Sequence, residues 1–183
     1  MRHGFAFLTL IGMLLVLVMS PPIGAEDRYA APDVPLELRV PPDQTLLIKA
    51  EAKGVQIYKS VEGKDGKLEW ILEAPLAGLF SPEGRKLGTH YEGPSWEATD
   101  GSKVIRDKEQ VVKMAAPPNP NGDIPWLLIK VKEEGGKEGV FNKVLYIQRI
   151  DTRGGKAPAE PPLRAGTKVG VEYKATYYLY GRQ

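Results

Sequence analysis

Between Gly88 and Ser102 the chain reads GTHYEGPSWEATDGS, its densest run of residue types that carry chemistry. His90 is the side chain there whose ordinary pKa suits proton transfer near neutrality. Ser95 or Ser102 could act as a nucleophile beside it, with Asp100 or Glu97 orienting the imidazole, as a hydrolase requires. No serine sits in a Gly-x-Ser-x-Gly elbow. A lone histidine is weak evidence for a site. The favoured alternative packs His90 beside Trp96 with a hydrogen bond to a carbonyl or to Asp100. Glu92, Glu97 and Asp100 could supply a glycosidase acid and base. Glu92 and Glu97 are an odd number of residues apart, however, so one straight strand sends them to opposite faces. Charges on exposed strand faces are the simpler account.

The same stretch could bind rather than react. Aromatic rings are flat and amphipathic, and exposed ones make platforms for sugars or peptides. Trp96 follows Pro94 amid polar residues and is expected to be a partly exposed ring. With His90, Tyr91, Glu92 and Asp100 it forms the candidate binding set. Trp70 and Trp126 lie in apolar runs and are expected in the core. Metals lack ligands: cysteine is absent, His90 has no second histidine near it, and no EF-hand loop occurs. No Gly-x-Gly-x-x-Gly follows a strand and no P-loop exists, so no metal and no cofactor is expected.

The elements that must position these residues read as strands. Thr45 to Ala50 is a short apolar run. Gly54 to Ser60 alternates, and Leu68, Trp70 and Leu72 share a face opposite Glu69 and Glu73. Gly63-Lys64-Asp65-Gly66 is a hairpin signal, and Ser81-Pro82-Glu83-Gly84 is a second turn. Further strands are predicted from Trp126 to Lys132, from Val140 to Ile150 and from Val169 to Tyr180. Phe141, Lys143, Leu145, Ile147 and Arg149 share one face of the second of these, opposite Asn142, Val144, Tyr146 and Gln148. Val171, Tyr173, Ala175, Tyr177 and Leu179 share one face of the last, opposite Thr176, Tyr178 and Tyr180. Gln56 and Gln148 sit within apolar strands and are expected to bridge structure, because a buried amide needs partners. Residues 73–80 could form one helical turn, though Pro75 and Gly78 disfavour it. Residues 105–114 fit helix or strand. Ala115 to Pro125 and Ala157 to Pro162 are Pro-rich loops. Short strands punctuated by Gly and Pro, six to nine of them, predict an all-β, mostly antiparallel sandwich or distorted barrel in a single domain.

Arg2 and His3, an apolar run from Phe5 to Met19 and the small residues before Glu26 have the order of a secretory signal peptide, with cleavage after Ala25. The run is too short to span a bilayer as a helix. The expected organisation is a signal peptide over 1–25, a linker or lead-in over 26–35 and one β-rich domain over 36–183. Arg2 is the one charge lost from 25 basic and 23 acidic residues, which leaves a near-neutral chain. That argues against nucleic acid, whose binding needs a clustered basic face. No later segment is apolar enough to cross a membrane. An exported chain without cysteine relies on packing rather than disulfides.

Six motifs in order carry a resemblance: GVQIY (54–58), EAPLAGLF (73–80), GTHYEGPSWEATDGS (88–102), IPWLLIKV (124–131), YIQRIDTRGG (146–155) and YKATYYLY (173–180). The chain resembles the domain of unknown function 3455 family of exported bacterial and fungal proteins over roughly residues 32–180. The resemblance implies no established activity. A dehydrogenase label on some fungal relatives finds no dinucleotide fingerprint here. The family pattern has a cysteine soon after the QIY strand and another after the GG turn. Here those places are Ser60 or a neighbour and the stretch from Pro161 to Gly166. If they pair in relatives, the bridge is a stabiliser rather than chemistry.

The reading is an exported protein, periplasmic or extracellular, that is a non-catalytic binding module for a glycan or another envelope component. A structural envelope protein without a ligand ranks second. A hydrolase using His90 with Asp100 or Glu97 ranks third. Oligomeric state is not legible.

Overall fold

A computed structural model describes residues 30–182. The predicted signal peptide, 1–25, lies outside the described residues, as do the first residues of the lead-in. The strands are β1 Thr45–Glu62, β2 Leu68–Phe80, β3 Lys86–Tyr91, β4 Ser95–Ala98, β5 Ser102–Arg106, β6 Lys113–Ala115, β7 Trp126–Gly136, β8 Val144–Gly154 and β9 Lys168–Gly181. Single 3₁₀ turns occur at Leu36–Leu38 and Val140–Lys143, and no α-helix occurs among the described residues.

All pairings are antiparallel, in the order β5-β4-β3-β2-β1-β9-β8-β7-β6, and β5 also pairs with β7. That last pairing closes eight strands into a barrel. Its cause is the length of β7. One edge of β7 holds β6 against Trp126–Leu128 and β5 against Val131–Gly136, while the other edge pairs with β8. Closure removes the open sheet edges that would invite aggregation. The all-β antiparallel expectation therefore holds in its barrel form, and the sandwich is not observed.

The predicted breaks between strands were too many in one place. Thr45–Ala50 and Gly54–Ser60 are a single strand, because inward alternation continues through Ala50, Ala52, Gln56, Tyr58 and Ser60. Residues 73–80 extend β2 and are not helical. The 105–114 segment is the end of β5, a turn and the start of β6. Both predicted turns close hairpins, with Gly66 and Gly84 at φ +76° and +89°.

Two apolar clusters result. The barrel interior holds Leu79, Trp96, Val104, Val131, Phe141, Val144, Ile147, Tyr177 and Leu179. Small residues make room for its rings: Ala50 lies opposite Tyr177, and Gly54 opposite Tyr173. A Cβ on Gly54 would run into the Leu76 carbonyl and Ala77. A second cluster lies on the outer face of β8 and β9, where Ile150, Tyr178 and Tyr180 are covered by Val34 and Leu38. Gln148 fastens this cover by donating from Nε2 to the Leu38 carbonyl at 2.8 Å. The bridging role expected of Gln148 is thus present.

The tryptophans reverse their expected places. Trp96 is 0 % exposed in the barrel interior. Trp70 is half-buried near the tip of the β1–β2 hairpin, opposite Ser60, and donates to the Glu160 carbonyl. Trp126 is half-buried against the outer cluster. Polar neighbours along a strand point to the opposite face, so Ser95 and Glu97 said nothing about Trp96 itself. An apolar run likewise fixes a face but not whether a further layer covers it.

Candidate functional site

β3 and β4 pair so that His90 lies opposite Trp96. Their rings stack at 4.4 Å with planes 10° apart, and the Tyr177 ring meets the imidazole edge-on at 5.6 Å. His90 is 3 % exposed, and its Nδ1 lies 2.8 Å from the Ser95 carbonyl oxygen. A carbonyl can only accept, so Nδ1 carries the proton. Burial, chiefly, pushes the His90 pKa down to about 3. The Ser95 carbonyl partly offsets this and the nearby Arg149 charge reinforces it. The imidazole is neutral at ordinary pH and is not hydrogen-bonded to Asp100.

The rest of the predicted set faces elsewhere. Tyr91 is half-buried and donates to Glu97 Oε2 at 2.6 Å. Lys103 lies over the Tyr91 ring at 5.6 Å and pairs with Glu134 at 3.0 Å. The hydrogen bond to Glu97 raises the Tyr91 pKa, and Glu134 raises that of Lys103. Glu92 is exposed in the β3–β4 turn. Asp100 is committed to structure. Its Oδ1 accepts from the Ser102 amide and hydroxyl at 2.9 and 2.6 Å, and its Oδ2 accepts from the Val140 amide at 2.9 Å. The Ser102 hydroxyl bond, first of these, holds the Asp100 carboxyl below its usual range. Ser102 Oγ in turn accepts from the Phe141 amide at 3.0 Å, which seats Phe141 in the core. Among the described residues no cluster of three or more His, Cys, Asp or Glu could hold a metal.

The structure instead gathers chemistry that the sequence reading left out. Gln56 and Tyr58 from β1, Arg149 from β8 and Tyr173 and Tyr177 from β9 share the interior with His90 and Trp96. Arg149 is 8 % exposed and lies opposite Tyr177. One guanidinium nitrogen donates to the Pro125 carbonyl at 2.8 Å, but Nε has no partner. Gln56 Nε2 and Trp96 Nε1 also lack partners, and the Tyr173 and Tyr177 hydroxyls have none beyond each other. The Tyr58 hydroxyl donates to the Gly155 carbonyl at 2.7 Å. Burial raises the Tyr58 pKa, and the Arg149 charge opposes the rise. Burial pushes the Tyr173 phenol above its ordinary range, with a further contribution from the Tyr177 phenol and opposition from Arg149. The Arg149 charge thus bears on His90, Tyr58 and Tyr173 at once.

The loops flanking β7 and β8 shape this end of the barrel. Ile124 is buried beneath it, bonded to Gly154 and to the Thr152 hydroxyl. Gly155 adopts φ +84°, and a Cβ there would press on Tyr173, Ile124 and Gln56. The available signal in the sequence was Arg149, an arginine on the same strand face as Ile147. Tyr173 and Tyr177 share one face of the last strand, as the alternation predicts.

The family model described as Protein of unknown function (DUF3455) matches residues 41–181. No curated protein and no solved structure matches the chain.

Proposed function

The chain belongs to this family, and from that premise we propose that it is an exported, non-catalytic binding protein whose ligand site is the polar end of the barrel interior. It would work in the periplasm or outside the cell, on a small envelope or environmental component. The observation that carries this reading is that Gln56 Nε2 and Arg149 Nε are buried without partners, Gln56 near Tyr173 and Arg149 opposite Tyr177. A buried donor without a partner costs roughly 1–3 kcal/mol, and more when charged. Such a cost is retained where a ligand or ordered water completes the bonds.

The chemistry of the same residues favours binding over hydrolysis. A general base works best with a pKa near the working pH, and His90 sits far below it. Its proton faces a backbone carbonyl, and Asp100 is held in the β4–β5 turn. The test is a fragment screen against the full chain by ligand-observed NMR, with native mass spectrometry for co-purifying molecules. Ligands that shift the Trp96 indole resonance support the reading. A screen without such hits, together with ligand-free spectra, sinks it in favour of a purely structural envelope protein.

A second reading keeps a glycan as partner but moves it to the outer surface. A groove of about 600 Å³ there is lined by Trp126, Asn119, Asp151, Arg153 and Lys174, among others. A half-buried indole beside carboxylate, amide and cationic groups suits a sugar. Loss of oligosaccharide binding in Trp126→Ala, with binding intact in Tyr173→Phe, would favour this groove over the interior.

A further inference from the structure

We infer that the interior site, on the binding reading above, takes a small organic monoanion by its carboxylate, with Arg149 as the anchoring cation. Arg149 is 8 % exposed, and it makes no ion pair among the described residues. A buried charge is costly unless it is paired. Guanidinium groups stay charged and match carboxylates side-on through Nε and a terminal nitrogen. The Arg149 Nε is buried without a partner, while the terminal nitrogen Nη2 is steadied by the Pro125 carbonyl.

Gln56 Nε2 supplies a neutral donor with no partner of its own, and the Tyr173 and Tyr177 hydroxyls, which have no partner beyond one another, supply a second. Phenols held above their ordinary pKa range, as at Tyr173, stay protonated and donate. With His90 neutral, the cluster carries one positive charge. One charge balances a carboxylate, whereas a phosphate monoester carries nearly two negative charges at neutral pH.

Outside the barrel wall, over the buried Tyr173, lies an open groove of about 640 Å³. Lys53, Arg153 and Lys174 border that groove against one carboxylate, Glu172. Such a surplus of positive charge raises the local concentration of anions.

The experiment titrates the full chain with acetate, propionate and benzoate, and in parallel with acetamide, propionamide and benzamide, by calorimetry and thermal shift. At least one acid is expected to bind and its neutral amide to bind roughly tenfold or more weakly. Arg149→Met is expected to abolish that preference. Should it fail to fold, the Tyr173→Phe/Tyr177→Phe double variant serves, with a roughly tenfold loss of acid affinity expected. Acids and amides binding alike would overturn the carboxylate assignment and leave the interior site standing. So would a phosphate monoester that outcompetes every acid. If no probe of either series binds, the assignment also falls, and the fragment screen alone then decides whether an interior site exists.

Discussion

The barrel interior has two regions built from the same strands. β9 contributes Leu179 to one and Tyr173 to the other, and β8 contributes Ile147 to one and Arg149 to the other. In the first, Leu79, Val104, Val131, Phe141, Val144, Ile147 and Leu179 bury apolar surface and need no hydrogen bond. In the second, Gln56, Tyr58, His90, Arg149, Tyr173 and Tyr177 bury polar groups, several without partners. The strands and the alternation are alike, so folding requirements alone do not separate the regions. The apolar region holds the barrel shut. The polar region spends part of that stability, which is the expected signature of a site kept for something other than folding.

Trp96 joins the two, since its ring packs in the apolar cluster and stacks on His90. Trp96→Ala is expected to have the largest effect, about 3–5 kcal/mol, and Leu179→Ala about 2–5 kcal/mol. Urea denaturation of both variants measures this. A loss below about 1 kcal/mol for Trp96→Ala would mean that the interior is not close-packed at the junction.

The polar region should also make stability depend on pH. The unfolded chain takes up a proton at His90 near pH 6.5, while the folded chain does so only near 3. Between those values the unfolded state binds more protons, so stability falls as pH falls, by about 1.4 kcal/mol per pH unit for this group. The contribution is fully present above the unfolded value and is lost through the window down to the folded one. From pH 7 to pH 5 the expected loss is about 2 kcal/mol. Urea midpoints at the two pH values test it, with His90→Gln expected to lose this dependence. An equal slope in the variant would assign the dependence to carboxylates instead.

A smaller effect is expected where the apolar region relies on a polar clamp. Ser102 is fully buried and accepts from the Phe141 amide. Ser102→Ala leaves that amide unpaired at a cost of about 1–3 kcal/mol, read from the urea midpoint. A neutral result would show that water replaces the hydroxyl.

Much of the barrel was legible because it rests on local signals. The Asp65-Gly66 and Pro82–Gly84 turns, and the alternation in β9 and over Tyr146–Arg149 of β8, appear in the structure where they were expected, whereas Val140–Lys143 is a 3₁₀ turn and a register shift brings Val144 into the interior with Ile147. Closure was not legible, since it depends on β5 meeting the far part of β7, a pairing between distant residues. The stretch from Gly88 to Ser102 was correctly seen as dense in chemistry, and the stacking of His90 on Trp96 was among the readings offered. What sequence could not say is which groups converge. Asp100 lies two residues from Ser102 and bonds it, whereas the Arg149 charge bears on His90, Tyr58 and Tyr173 only because β8, β3, β1 and β9 line one lumen. Nor could alternation reveal that the lead-in covers the outer face of β8 and β9, which is why Tyr178 and Tyr180 are buried although they face away from the lumen.

The smallest expected effect separates the regions most sharply. Tyr177 is fully buried, yet its hydroxyl makes no well-formed hydrogen bond in the protein and has the Tyr173 phenol beside it. Removing a hydroxyl that makes a good hydrogen bond costs roughly 1 kcal/mol or more, whereas removing an unsatisfied one is nearly neutral or stabilising. Tyr177→Phe and Tyr173→Phe keep the rings, so their packing in the interior persists. Each is expected to change stability by less than about 1 kcal/mol in the ligand-free protein, by the same urea measurement. A clear stabilisation would mark the hydroxyls as retained at a cost to folding, in contrast with every group in the apolar region. A loss of about 2 kcal/mol would instead mean that ordered water already satisfies them, and the polar region would then be a second core built with water rather than a site waiting for a ligand.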